Sequence, residues 1–309
     1  MARLRLRSGV TGVTEPRILD VSTPAVDGKA LVWGPDDGPI ALCLHGVPDP
    51  AHSWRKVAPA LVAAGYRVVA PFLRGYAPTS LASDGSYHVG ALMDDALRVR
   101  DAAGGTDRDV LIGHDWGAIA ATGLAAMPGS PFTKAVIMSV PPSASFRGKV
   151  PDVGRLVAGI PRQLMRSWYI AYHQLPYLPD RSASWLIPRL WRQWSPGYDA
   201  TEDVALVKSA IGSPDNWRAA LAYYRQTVRA SKPPANYAEL HRHWLSQPAL
   251  PTLYLHGTDD GCASADYIRW VTRALPEGSR TALVDDAGHF LQLERPDVVA
   301  RLIVDFVEN

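Results

Sequence analysis

The residues most able to do chemistry lie in residues 111–121, which read LIGHDWGAIAA. A short apolar run, 109–112, meets Gly113, then Asp115, then Gly117, and an alanine-rich helical pattern continues through Ala126. That order is strand, sharp turn, helix. Glycines on either side of position 115 let the backbone turn tightly and leave one side chain at the apex, as in a G-x-S-x-G nucleophile elbow. Here the apex residue is a carboxylate, Asp115. An aspartate is ionised at neutral pH without the help of a base and can attack a saturated, polarised carbon to form an ester. The expected chemistry is therefore alkyl transfer followed by hydrolysis. The same stretch also reads as an ordinary turn whose Asp caps the following helix, so residues elsewhere must decide.

A nucleophile elbow in an α/β sheet calls for an acid and then a histidine further along the chain. Beyond the strand pattern at 252–256, the run Gly257-Thr258-Asp259-Asp260-Gly261 offers two acids. After the last strand pattern, Asp285-Asp286-Ala287-Gly288-His289-Phe290 puts His289 in a loop, which sets it apart from the other histidines of the nine in the chain. A neutral imidazole there would take a proton from water, with a carboxylate on its other ring nitrogen fixing the tautomer. Stabilising the resulting oxyanion takes two N–H donors: that of Trp116, after the nucleophile, and one from His45-Gly46-Val47-Pro48, where Val47 is the expected donor. Trp116, His45 and Pro48 are expected to line the substrate site.

These parts need a scaffold, and the chain supplies the rhythm of one. Residues 17–21 and 30–33 read as an antiparallel entry; Ile40 to Leu44 is an apolar strand, 53–64 a helix, 66–71 a strand and Val89 to Ala102 an amphipathic helix. Residues 134–140 add a strand after the elbow, and 252–256, 265–275, 281–284 and 296–307 resume as strand, helix, strand, helix. Alternation of this kind predicts a mostly parallel sheet covered on both faces. Between Pro141 and Trp244 the texture is instead helical, proline-punctuated and aromatic. The reading is a core of residues 1–140 and 245–309 with an inserted helical cap, 141–244, hinged at Pro141-Pro142 and near Pro251. Most cap aromatics, including Tyr172, Tyr177 and Tyr198, are expected to serve packing.

Composition excludes other classes. The 309 residues are 47% hydrophobic and 20% charged, with a formal charge of +2. That balance offers no basic stripe for nucleic acid and no polybasic membrane anchor. The N-terminus, MARLRLRS, is basic but lacks the apolar region of a secretion signal, and no apolar run is long enough to span a bilayer. Cys43 and Cys262 are the two cysteines and lie in no metal-ligand pattern, so a reducing cytoplasm is expected and no metal or organic cofactor.

Taken together, His45-Gly46-Val47-Pro48, Arg74-Gly75-Tyr76, Gly113-His114-Asp115-Trp116-Gly117, Gly257-x-x-Asp260 and Gly288-His289-Phe290 resemble the α/β-hydrolase-fold epoxide hydrolases. The resemblance covers nearly the whole chain. It implies an acid three residues after the glycine, Asp260 rather than Asp259, and two cap tyrosines that open the ring. The segment Ser167 to Gln174 matches the first at Tyr169, and Ala222-Tyr223-Tyr224-Arg225 matches the second at Tyr224; Ala222 stands where a related motif often has Asn, which keeps Tyr223 as the alternative. A buried phenol stays protonated at neutral pH and can donate to a departing alkoxide. The implied substrate is a small apolar epoxide with water as co-substrate, and a homodimer stays open. The rivals are a haloalkane dehalogenase, which Trp116 suits but Val47 in place of the usual Asn does not, and a catalytically silent scaffold that binds an apolar molecule.

Overall fold

The computed structural model describes residues 15–147 and 151–309. The basic segment at the N-terminus lies outside the described residues. Eight strands form one sheet: β1 (Arg17–Ser22), β2 (Asp27–Trp33), β3 (Ile40–Leu44), β4 (Arg67–Pro71), β5 (Val110–His114), β6 (Lys134–Met138), β7 (Thr252–Gly257) and β8 (Arg280–Val284), in the order β1-β2-β4-β3-β5-β6-β7-β8. β1 and β2 are antiparallel to each other, β2 is antiparallel to β4, and every other pair is parallel. β3, β5 and β7 are buried along their whole length. Their unbroken apolar runs fit a parallel sheet covered on both faces.

The helices are α1 (Ala58–Ala63), α2 (Val89–Ala102), α3 (Trp116–Ala126), α4 (Val153–Arg166), α5 (Trp168–His173), α6 (Ala183–Trp194), α7 (Thr201–Ile211), α8 (Pro214–Val228), α9 (Ala238–His241), α10 (Ile268–Ala274), α11 (Leu291–Glu294) and α12 (Pro296–Glu308). α1 packs against α12, and α2 against α3 and α9. The single helix expected over 53–64 is two pieces, a 3-10 turn at Ala51–Trp54 and then α1. Pro59 explains the break: in a helix interior it would clash with the carbonyl four residues back, but in the first turn, where it stands, its missing N–H costs nothing.

From β3 the chain steps to β4 on one side and then crosses to β5 on the other. Open α/β sheets leave a crevice at the carboxyl ends of strands where the order reverses in this way. The loops that leave β3 and β5 carry Val47 and Asp115 into it. α4 to α9 fall between β6 and β7, and this helical segment meets the loops at that end of the sheet. Trp191 Nε1 donates to Pro48 O (2.9 Å), Tyr223 Oη to Arg74 O (2.9 Å) and Asn216 Nδ2 to Gly75 O (2.7 Å).

Candidate active site

Asp115 sits between β5 and α3 with φ 51° and ψ −118°, a region that ordinary side chains avoid. The strain is therefore carried by the acid itself, whereas Gly113 and Gly117 have no left-handed φ. Their task is close approach. A Cβ on Gly117 would stand 2.1 Å from Leu44 O, one on Gly113 2.4 Å from Gly117 O, and one on Gly46 2.3 Å from Asp115 Oδ1. The turn expected from the two glycines is thus built differently: they let α3 and the β3 loop close around a strained Asp.

Both carboxylate oxygens of Asp115 face a polar group. Val47 N–H donates to Oδ1 at 2.7 Å, and His289 Nε2 lies 3.5 Å from Oδ2. Trp116 opens α3, so its N–H has no acceptor within the helix. On the other side of the imidazole, His289 Nδ1 is 3.0 Å from Asp260 Oδ2. Asp260 Oδ1 accepts from Cys262 N–H (2.6 Å) and Ala263 N–H (2.9 Å), whereas Asp259 is exposed. Of the two acids, Asp260 is the one brought to the histidine.

The two tyrosines converge from different helices. Tyr169 (α5) and Tyr224 (α8) meet edge to face with ring centroids 5.6 Å apart, and the Tyr224 ring is 5.1 Å from that of Trp116. Tyr169 Oη lies 3.5 Å from Cys262 Sγ. Tyr224 Oη is buried and has no hydrogen-bond partner among the described residues. Tyr223 Oη, by contrast, is committed to the Arg74 carbonyl, which separates the two neighbouring candidates. His45 and Pro48 both make polar contacts within the protein. His45 is fully buried, with Nδ1 3.0 Å from Gly46 O and Nε2 accepting from Leu73 N–H at 3.0 Å, so both ring nitrogens are used within the protein. The Pro48 carbonyl is taken by Trp191.

Residues 39–296 match the family model described as alpha/beta hydrolase fold. The chain belongs to the α/β-hydrolase-fold family. Within it, this α/β hydrolase is 30% identical over 301 residues to the AB hydrolase superfamily protein YfhM of Bacillus subtilis, covering 94% of this chain and 97% of that one. It is 27% identical to epoxide hydrolase A of Mycobacterium tuberculosis, covering 96% and 98% of the two chains. The crystal structure of epoxide hydrolase A from Mycobacterium thermoresistibile superposes with a TM-score of 0.72 at 25% identity over 95% of this chain and 98% of that one.

Electrostatics in this α/β hydrolase follow from burial and from the carboxylates. Burial alone would lower the pKa of His289, but the charge of Asp260, together with Cys262 and the facing Asp115 carboxylate, raises it well above 6.5. Burial pushes Asp260 up, yet His289 beside it brings the net shift below the usual carboxylate range. Burial also raises both Tyr169 and Tyr224 well above 10, so both phenols hold their protons. The Cys262 thiol is pushed up to about 12 by burial. Asp260, Cys262 and His289 have ligand atoms within 4.8 Å of one another, but a thiol held protonated and an acid already bonded to the histidine make a poor metal site.

Several residues at this centre escaped the sequence. Asp49 Oδ1 accepts from Gly46 N–H at 2.8 Å, its Oδ2 is 3.3 Å from His114 Nδ1, and His114 Nε2 is 2.9 Å from His289 O. This buried chain ties together the loops that carry Val47, Asp115 and His289. Trp194, at the end of α6, accepts from His289 N–H through its carbonyl (2.9 Å), and its indole packs on both His289 and Tyr169. His173 lies against Tyr169 and Tyr224 with neither ring nitrogen partnered among the described residues. Cys262 reads in the sequence only as a cysteine outside any metal-ligand pattern, although it stands two residues after a candidate acid. Asp49, Trp194 and His173 carry no local signal, because only tertiary packing brings them here.

Proposed function

We propose that this protein is an epoxide hydrolase that converts an apolar epoxide to a vicinal diol, with residues 141–244 acting as a cap on the core of residues 1–140 and 245–309. The observation that carries the reading is a pair of buried, protonated phenols, Tyr169 and Tyr224, beside a strained aspartate nucleophile. Relatives named epoxide hydrolase support the same choice.

Asp115 Oδ2 attacks a ring carbon while Oδ1 stays on the Val47 N–H. The carbon–oxygen bond of the ring breaks, its electron pair passes to the oxygen, and that oxygen takes a proton from a tyrosine. The product of this half-reaction is a hydroxyalkyl ester. Ester formation removes the negative charge facing His289 Nε2, which lowers the imidazole pKa; the imidazolium gives its proton to the tyrosinate left by ring opening and is left as a base. His289, oriented by Asp260, then takes a proton from water as the water attacks the ester carbonyl. The oxyanion forms between the N–H groups of Val47 and Trp116; its collapse breaks the ester bond to the alkyl oxygen. The departing alkoxide takes the proton of the carboxylic acid so formed, which restores the Asp115 carboxylate and releases the diol, with His289 again an imidazolium. No metal or organic cofactor enters.

The deciding experiment is intact-protein mass spectrometry of His289→Gln after incubation with epoxides and, separately, haloalkanes. The expected result is an adduct of the full epoxide mass on Asp115. Labelling by haloalkanes alone, with halide release by the wild type, would move the enzyme to dehalogenation. No labelling by either class would remove the nucleophile assignment.

A further inference from the structure

Helix α4 is built the wrong way round for a helix packed on a globular core. Its apolar residues Val153, Val157, Ile160 and Leu164 recur at i, i+4, i+7 and i+11, a spacing that places them along one face. Such a face ordinarily turns inward. Here these residues are 59%, 56%, 47% and 66% exposed, the flanking Met165 is 71% exposed, and no residue of α4 is buried. A flank beside the stripe is the one that touches the protein: Leu156, Gln163 and Arg166 are half-buried there, Gln163 Nε2 donates to Cys262 O at 2.8 Å and Arg166 Nη1 to Ala263 O at 3.0 Å.

The charges of the helix select what covers this face. α4 carries Arg155, Arg162 and Arg166 and no acidic residue. At 100° per residue the three arginines lie on the side opposite the apolar stripe, with Arg155 and Arg162 both exposed. A strongly amphipathic, purely cationic helix has the pattern of one that lies in the plane of an anionic lipid surface, its apolar face in the acyl boundary and its arginines among the headgroups. A second copy fits less well. The helix is about 21 Å long and about 10 Å wide, so the stripe offers a footprint of about 200 Å², far below the roughly 800 Å² per partner of a stable interface. Two copies facing each other would also bring arginine to arginine. The overall charge of +2 hides this local excess, and no helix among the described residues is long and apolar enough to cross a membrane.

We infer that α4 docks the protein peripherally onto anionic lipid. The inner side of the helix grips the Asp260 to Ala263 loop, so a docked α4 stands directly above the acid that orients His289. An apolar substrate partitioned into that lipid would be concentrated beside the site.

The test is flotation of the full-length protein with phosphatidylcholine vesicles, with and without phosphatidylserine, at low and high salt. Binding is expected only with phosphatidylserine, and it should fall as salt rises. The double variant Val157→Glu, Leu164→Glu is expected to reduce partitioning about tenfold or more, with an unchanged thermal midpoint showing that the fold is intact. Arg155→Glu, Arg162→Glu should weaken binding without touching the apolar stripe. Absence of wild-type binding to phosphatidylserine vesicles, or equal binding by the glutamate variants, overturns the proposal. So does light scattering that shows a wild-type dimer dispersed by the same substitutions, which would assign the face to self-association.

Discussion

At the scale of single residues, the proposed mechanism assigns the phenols and the histidine to different half-reactions, and this makes them separable. Tyr169 and Tyr224 are held protonated by burial, so in the proposed mechanism each acts in ring opening, before the ester exists. Tyr169→Phe and Tyr224→Phe are each expected to slow ester formation about 10²-fold or more while leaving ester hydrolysis untouched. Rapid-quench mass spectrometry should therefore find almost no adduct at early times, the opposite of His289→Gln, in which adduct accumulates. Wild-type rates of adduct formation in both tyrosine variants would remove them from the reaction. The sequence could reach these two residues only through a family resemblance, because nothing in their spacing marks them among the aromatic residues of the helical segment. The choice between Tyr223 and Tyr224 needed the fold: consecutive residues of a helix point about 100° apart, and one of them is spent on the Arg74 carbonyl.

At the scale of elements, the site depends on three loops holding register against one another. The loop after β3 presents Val47, the elbow after β5 presents Asp115, and the loop after β8 presents His289. Asp49 and His114 bridge all three, and both are fully buried. Burial alone would raise the Asp49 carboxyl, but the His114 ring against it leaves the net shift below the usual range. Asp49→Ala would leave His114 Nδ1 and Gly46 N–H without their buried acceptor, and the β3 loop would lose its anchor. We expect a fall in kcat of about 10²–10³, comparable to losing an oxyanion donor, with KM little changed and a lowered melting temperature. Asp49→Asn, which keeps one acceptor oxygen, should recover part of the rate. A KM effect with kcat intact would place Asp49 at the substrate instead of the loop. Element types along the core were legible because buried parallel strands must be continuous apolar runs, as 40–44 and 110–112 are. The break between residues 53 and 64 was misread because apolar period outweighed the proline, and the elbow glycines were misassigned because close approach of backbones leaves no mark distinguishable from turn flexibility.

At the scale of the whole molecule, the histidines set how folding responds to acid. The sheet and its helical layers were legible as a rhythm of periods. Which histidines end up buried without a charge partner was not, since that depends on contacts made across long separations in sequence. Burial lowers His45 to about 4 and His173 to about 3, and it also lowers His52, His88, His241 and His256. Each of these groups binds a proton more readily unfolded than folded. The stability it contributes while neutral is therefore present above about pH 6.5 and is lost as pH falls below that value, at about 1.4 kcal/mol per pH unit until the folded pKa is reached. For His45 and His173 together this amounts to about 4 kcal/mol at pH 5. His289 does not offset the loss. Its folded pKa is raised, so its contribution is complete below its unfolded value and declines only as pH rises through the folded one. Urea midpoints measured from pH 7 to pH 5 should accordingly fall steeply, before most carboxylates titrate. His173→Phe replaces two buried nitrogens that have no partner among the described residues with carbon and is expected to raise the midpoint at pH 7 and to flatten its decline toward pH 5. A midpoint that stays level across that interval in the wild type, or a His173→Phe profile parallel to it, would show that these imidazoles gain no proton on unfolding.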